Sequence, residues 1–213
     1  MKDNKKKPSI LKDALSLFLI TLISGLALSF VYELTKGPIE KQAMAKKMEA
    51  YQVVYPQADT IAEDEKLMQL VAETDLASLD ASYQGVIIEE INKAFDSNEN
   101  PIGYIIKVST NGYKDVITTA IGLSNDGTIQ AIELLAINDT PGLGMLAAEP
   151  DFKNKFANKN VDQFVVTKSG ASDANEIDVI SGSTVTTDAV VNSVNAGIGF
   201  VTNFADLGGG TNE

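Results

Sequence analysis

The composition of the 213-residue chain excludes several kinds of chemistry. There is no cysteine and no histidine, so disulfides, thiolate metal sites, cysteine nucleophiles and histidine bases are ruled out. Carboxylate sites for Mg²⁺ or Ca²⁺ remain open, but the sequence lacks a calcium loop with the expected acidic spacing. We therefore predict neither a catalytic residue nor a metal site.

The charge is strongly acidic and unevenly placed. All 17 basic residues are lysine, and with 29 acidic residues the formal net charge is −12. Residues 1–13 are the exception, with five lysines against two aspartates, or +3; the remaining 12 lysines and 27 acids sum to −15. Because phosphate contacts need a basic surface, we predict no nucleic-acid partner.

An uncharged apolar run, residues 14–32, follows this basic tail. At about 1.5 Å per residue it forms a helix of roughly 28 Å, close to the thickness of the hydrocarbon core of a bilayer. We predict one transmembrane helix at residues 14–32. The positive-inside rule then places the tail of residues 1–13 in the cytoplasm and the rest of the chain on the extracytoplasmic side of the cell membrane.

A cleaved signal peptide is the alternative interpretation of this run. Ala27-Leu28-Ser29 offers small residues at a cleavage site. However, the run is longer than the roughly 7–15 apolar residues of a signal peptide and continues past that site. These two features favour an uncleaved anchor.

The chain after the anchor divides into a connecting part and a domain. We assign residues 33–83 to a juxtamembrane helix, Pro38 to Gln52, and a connecting segment. Pro38 suits the first turn of a helix. Residues 84–205 form the predicted domain, and residues 206–213 a flexible tail.

The domain begins with four segments typical of strands, rich in β-branched residues and separated by turn signals. They predict an antiparallel meander. A helix, a strand and a long helix with an apolar face are predicted after it. A curved antiparallel sheet with helices packed on it, an α+β fold, accounts for this order. The predicted strands are 85–95, 101–110, 114–124, 128–137 and 163–167, and the predicted helices 147–156 and 185–204.

Two glycine-bearing motifs are candidates for a binding site. The first is Asp139-Thr140-Pro141-Gly142-Leu143-Gly144. Proline fixes φ and glycine permits positive φ, so the backbone can turn sharply and bring its N–H groups near a ligand. The alternative is a plain turn before a helix.

The second motif is Asp178-Val179-Ile180-Ser181-Gly182-Ser183-Thr184, which leads into the last predicted helix. Serine or threonine at this place commonly caps a helix. A helix N-terminus also favours a phosphate, and Gly182 lets another molecule approach Thr184 closely. The absence of histidine argues against a serine hydrolase, but a hydroxyl that another enzyme modifies needs no such base. Capping and modification both stay open.

Together these features resemble the G subunit of the Rnf complex, the ion-translocating ferredoxin:NAD⁺ oxidoreductase, and its relative, the C subunit of the Na⁺-pumping NADH:quinone oxidoreductase. The resemblance covers nearly the whole chain. It rests on the basic tail and anchor, on the Leu34–Ile39 segment, on Gly112-Tyr113 with the Asp126-Gly127 turn, and on the two motifs in their order.

The resemblance implies an FMN-binding domain in which Thr184 is esterified to the phosphate of FMN. A separate flavin transferase makes this bond with FAD as donor. Two departures concern the flavin's surroundings: Ser183 stands where the family usually has alanine, and Asp139 where glutamate is common. The implied cofactor-binding residues are Thr140, Pro141, Gly142, Leu143, Gly144, Asp178, Ser181, Gly182, Ser183 and Thr184.

The implied function is that of an electron-transfer protein within a membrane-bound Rnf-type complex. Its expected partners are the other membrane and peripheral subunits of the complex and, for maturation, the flavin transferase. No independent catalysis is expected. Two alternatives stay open: a stand-alone flavinylated extracytoplasmic electron carrier, and a membrane-anchored binding or scaffold domain without flavin.

Overall fold

The computed structural model describes residues 10–205. The first part of the predicted basic tail and the predicted flexible tail of residues 206–213 lie outside the described residues. The helices and strands are α1 (Ile10–Val54), β1 (Thr60–Glu63), α2 (Glu65–Glu73), α3 (Leu76–Leu79), β2 (Ile87–Phe95), β3 (Pro101–Asn111), β4 (Val116–Ser124), β5 (Thr128–Ala136), α4 (Pro150–Lys153), β6 (Lys159–Asn160), β7 (Val165–Thr167), β8 (Glu176–Asp178) and α5 (Thr184–Phe204).

The long helix α1 contains the predicted membrane segment. Across residues 10–205 it is the one helix long and apolar enough to cross a bilayer, with a mean hydropathy of 2.3 over its most apolar stretch. The prediction of a separate helix starting at Pro38 is wrong, because α1 runs through this proline. Proline removes one intrahelical hydrogen bond without ending the helix here. The chain divides after Lys46 into two compact units.

A six-stranded sheet forms the centre of the second unit. Its order is β1-β2-β3-β4-β5-β6, and every neighbouring pair is antiparallel. The predicted meander is therefore confirmed, and so is the α+β class. Register irregularities in the β2–β3 and β4–β5 pairs are sites where a sheet bends. Strands β7 and β8 form a separate parallel pair.

The two faces of the sheet are covered by different helices. On one face α5 packs against β3 and β4 and contributes buried residues such as Val190, Val194 and Phe200 to the main core. On the other, a smaller cluster forms where the end of α1 meets the sheet. Its buried members are Tyr51, Val54, Tyr55, Ala94, Ile105 and Ala120.

The segment predicted as one helix, residues 147–156, is broken. A 3₁₀ turn, Gly144–Ala148, ends before Glu149, which is extended with ψ of 147°. The next residue is Pro150, the first residue of α4. A residue before proline is pushed out of the helical region, so the two pieces cannot join.

Candidate functional site

One cavity brings the two sequence motifs together. It lies between the loop after β5, residues 139–144, which we call the β5 loop, and the stretch that leads into α5, residues 178–184, which we call the entry loop. Its volume is about 440 Å³, within the roughly 300–1,000 Å³ of small-molecule sites. It is lined by Tyr113, Asp139, Thr140, Leu143, Gly182, Ser183, Thr184, Val185 and Thr186.

The carboxylate of Asp139 joins the β5 loop to helix α5. Asp139 is 7% exposed. Its Oδ1 accepts a hydrogen bond from the backbone N–H of Thr140 at 2.6 Å, and its Oδ2 accepts one from the Thr186 hydroxyl at 2.5 Å. Because a buried carboxylate needs such donors, this arrangement fixes the distance between the two motifs.

The glycines of the two motifs serve different purposes. A Cβ atom at Gly144 would overlap the Asp139 carboxylate, so only glycine lets the β5 loop close over this side chain. Gly142 and Gly182 instead have left-handed φ angles of 74° and 75°, which disfavour any residue with a Cβ. The sharp turns predicted from the motifs are therefore present.

At the start of α5, two hydroxyls that line the cavity, those of Ser183 and Thr184, make no hydrogen bond within residues 10–205. Ser183, at the N-cap position, makes no side-chain capping bond. The Thr187 hydroxyl holds the entry loop instead, accepting from the Ile180 N–H at 3.0 Å and donating to the Ser183 carbonyl at 2.9 Å. Thr184 is half-buried and lines the cavity. Within residues 10–205, its hydroxyl has no hydrogen-bonding partner.

The backbone at this helix end offers a place for an anion. The first N–H groups of an α-helix have no intrahelical acceptor, and here those of Thr184, Val185 and Thr186 begin a 21-residue helix. No lysine is among the residues that line the cavity. The attraction for a phosphate therefore comes from the helix N-terminus and not from a basic side chain.

Several residues predicted for the site lie outside this cavity. Pro141, Gly142 and Gly144 shape the β5 loop but do not line the cavity. Ser181 lines a separate cavity of about 560 Å³ beside α4. Asp178 accepts a hydrogen bond from the Ala171 N–H at 2.6 Å and supports the preceding loop.

Four residues that line the cavity are not among the predicted cofactor-binding residues: Tyr113, Asp139, Val185 and Thr186. Asp139 opens the first glycine-bearing motif but is not itself assigned to the site. Tyr113 lies in the turn between β3 and β4. The turn signal at Asn111-Gly112 locates this hairpin, but the sequence does not indicate which loops meet in space. Val185 and Thr186 follow Thr184 directly, and the helix start could have suggested them.

The sequence matches two known patterns. Residues 1–54 match the RnfG N-terminal region, and residues 112–199 match the FMN-binding domain. The second span includes every residue that lines the cavity. The two matches occur in the same order as the anchor and the predicted domain.

Relatives match over nearly the full length. The G subunit of the ion-translocating oxidoreductase complex of Methanosarcina acetivorans is 27% identical over 202 residues, which cover 94% of this chain and 97% of the relative. The G subunit of the Na⁺-translocating ferredoxin:NAD⁺ oxidoreductase complex of Acetobacterium woodii is 30% identical over 194 residues, which cover 89% and 90%.

Among solved structures, the C subunit of the Na⁺-translocating NADH-quinone reductase of Parabacteroides distasonis is 23% identical, with a TM-score of 0.46 over 65% of this chain and 70% of that one. Membership rests on the sequence matches, which are longer and stronger. At 30% identity over 90% of the Acetobacterium protein, the chain belongs to the G-subunit family of Rnf-type ion-translocating oxidoreductase complexes.

Proposed function

We propose that this chain is the electron-transfer protein of an Rnf-type ion-translocating oxidoreductase complex and that its FMN is esterified through the phosphate to Thr184. Membership of the family and the FMN-binding match support the role and the cofactor. The observation that carries the attachment site is the unpaired Thr184 hydroxyl, which lines a cavity at the N-terminus of α5.

The cavity suits the two ends of FMN. The N–H groups at the start of α5 can receive the phosphate oxygens. Tyr113, Leu143 and Val185 are exposed apolar side chains that line the same cavity and can contact the isoalloxazine ring. The residues present therefore fit this cofactor.

The charge of the cavity favours FMN bound to threonine as a phosphodiester over free FMN, which is a phosphate monoester. A phosphate monoester carries a charge of about −1.5 to −2 near neutral pH, whereas the diester with a threonine carries a single negative charge. The cavity contains the Asp139 carboxylate and no lysine, so the smaller charge is repelled less. A covalent bond also retains the cofactor, because no cationic side chain lines the cavity to hold the phosphate.

The neighbouring hydroxyls explain the choice of Thr184. Thr186 donates to Asp139, and Thr187 donates to the Ser183 carbonyl. The Ser183 hydroxyl makes no hydrogen bond either, but Ser183 is 8% exposed whereas Thr184 is half-buried, so burial favours Thr184 as the acceptor. In the transfer reaction the Thr184 Oγ bonds to the phosphorus of the FMN half of FAD, AMP leaves, and the hydroxyl proton is released. A flavin transferase supplies the catalysis that this chain lacks.

Once bound, FMN supplies the redox chemistry, accepting electrons and passing them on. The chain's part is to hold it at a fixed site, to shield one side from water and to present the other to the donor and acceptor. The proposed partners are the other subunits of the Rnf-type complex.

A direct test is expression with a flavin transferase, followed by denaturing electrophoresis and intact mass. The full chain should give a fluorescent band, with a mass increased by one FMN minus one water. Thr184→Ala should be dark and unmodified, while Ser183→Ala and Ser181→Ala should stay fluorescent. If the wild-type band is dark while the transferase modifies another substrate, the flavin proposal is contradicted. The membrane-anchored binding or scaffold domain without flavin is then the remaining interpretation.

The chain is membrane-anchored, and we propose that residues 47–213 lie on the extracytoplasmic side. The support is the +3 charge of residues 1–13 before the apolar run. The absence of native cysteine allows a clean test. A membrane-impermeant maleimide should label Ser97→Cys, at an exposed turn after β2, in intact cells. Ser9→Cys should react only after permeabilisation; the reverse pattern contradicts the orientation.

A further inference from the structure

We propose that Tyr113 is the residue on which the flavin ring stacks, and that the turn between β3 and β4 is built to hold it there. This inference rests on the proposed function, because it concerns the ring of an FMN attached at Thr184. It assigns a positioning role to a residue outside both glycine-bearing motifs.

The first argument is the placement of the Tyr113 side chain. It lines the cavity that contains Thr184, yet it is 70% exposed. In the described part of the chain, no other aromatic ring and no lysine packs on its face. An exposed aromatic ring beside a cavity is a surface on which a flat heterocycle can stack, since aromatic rings favour offset stacking.

The second argument is that the turn is fixed. The Gly112 N–H donates to the Asp115 carbonyl at 3.0 Å, which closes the turn around Tyr113. The Asp115 carboxylate accepts from the Val116 N–H at 2.8 Å and from the Asn138 amide at 3.2 Å. These hydrogen bonds lower the pKa of Asp115.

The bond to Asn138 determines where Tyr113 is held. Asn138 directly precedes Asp139, the residue that joins the β5 loop to α5. The turn that carries Tyr113 is thus tied to the chain segment that forms another side of the cavity. A residue held by such supports can keep a ring in one orientation.

The third argument is what lies around it. Leu143 on the β5 loop and Val185 on α5 line the same cavity and are also exposed. Three apolar side chains from three separate elements thus line the cavity that Thr184 also lines. Tyr113 alone among them presents an aromatic face, so it is the side on which stacking occurs.

The experiment uses the flavinylated full chain in detergent micelles. A phenol close to an excited flavin donates an electron and receives it back, which quenches emission without net reaction. Native emission is compared with emission of the same sample after unfolding, which reports the flavin load. Visible circular dichroism reports the orientation of the ring. The variants are Tyr113→Phe and Tyr113→Ala, with Tyr32→Phe in the exposed apolar part of α1 as matched control.

Wild type should be strongly quenched in the native state. Tyr113→Phe should raise native emission several-fold and keep the dichroism, because phenylalanine stacks but does not donate. Tyr113→Ala should raise emission and also weaken the dichroism. Full flavin load with unchanged native emission in both variants overturns the inference alone. No flavin on unfolded wild-type protein overturns the proposed function, and the inference with it.

Discussion

The β5 loop and the entry loop meet at one cavity but use their polar groups in opposite ways. In the β5 loop, both carboxylate oxygens of Asp139 accept hydrogen bonds within the protein, from Thr140 and Thr186. At the end of the entry loop, Thr184 keeps a hydroxyl that, within residues 10–205, has no partner. Asp139 of the β5 loop therefore has a structural role, and we propose that the free hydroxyl of Thr184 is the reactive group.

With Thr184 as the proposed attachment site, this difference predicts that stability and cofactor attachment are separable over a short distance. Substitutions in the β5 loop should lower the free energy of unfolding and affect flavin only through the fold. Substitution of Thr184 should remove the flavin and leave the fold unchanged. Paired substitutions in the two loops therefore test whether stability and flavin attachment depend on different residues.

The largest expected loss of stability is from Gly144→Ala. Its Cβ would overlap the buried Asp139 carboxylate, so the loop or the Asp139–Thr186 bond must move, at a cost of roughly 2–4 kcal/mol. Thermal and urea unfolding of the full chain in micelles, followed by circular dichroism, measures this. Gly142→Ala is the matched control. It meets no atom within 4 Å and strains only φ, costing about 1 kcal/mol. Equal losses would contradict the role given to Asp139.

The next largest loss of stability is expected on removal of the Asp139–Thr186 hydrogen bond. Asp139→Ala leaves the Thr186 hydroxyl and the Thr140 N–H without their acceptor, and we expect a loss of about 2 kcal/mol. Thr186→Val removes the donor and should cost about 1–2 kcal/mol. The double variant should cost less than the sum, because the two changes remove one shared bond. Strict additivity in unfolding experiments would show that this bond contributes nothing.

The sequence alone predicts the fold well where the signals are local. The β-branched runs and the turn residues between them define the meander, and the pattern of the long apolar-faced helix locates its start to within one residue. The prediction of one helix at residues 147–156 misses the break at Pro150, although the rule for residues before proline accounts for it. The continuity of α1 through Pro38 does not follow from the sequence, because proline ordinarily disfavours the interior of a helix.

The site is predicted less completely, because its parts meet only in space. The motifs indicate Thr184 and the β5 loop. Nothing in the sequence tells which hydroxyl pairs with Asp139, since Thr186 lies 47 residues away along the chain. Tyr113 enters the cavity from a hairpin turn, and a strand pattern does not specify which turn faces which loop.

A smaller effect is expected at Asp188, one turn beyond Thr184 in α5. Burial raises its pKa, and Lys168 opposes this. Since the folded pKa exceeds the unfolded value of about 3.9, ionisation of Asp188 costs the folded state free energy above that range. Asp188→Asn should therefore stabilise the protein by a few tenths of a kcal/mol near neutral pH. The gain, measured by urea unfolding, should vanish as the pH falls below the unfolded pKa. Asp162→Asn, at an exposed site, controls for net charge. A gain in stability that persists at low pH would contradict the attribution of this gain to the ionisation of Asp188.

The smallest expected change in stability belongs to the residue with the largest expected effect on the cofactor. Thr184→Val replaces an unpaired hydroxyl by a methyl group of similar size, so we expect apo-protein stability within about 0.5 kcal/mol of wild type and no covalent flavin. Thr187→Val is the same chemical change three residues later. It breaks the bonds with the Ile180 N–H and the Ser183 carbonyl, costing about 1–2 kcal/mol.

Flavin load and unfolding, measured on the same two variants, test the contrast between them. Thr187→Val should keep its flavin wherever it is folded, because the Thr184 hydroxyl is intact. If Thr184→Val instead destabilised the apo-protein as much as Thr187→Val does, its hydroxyl would be a structural group. The division between a structural loop and a reactive residue would then fail at its most important position.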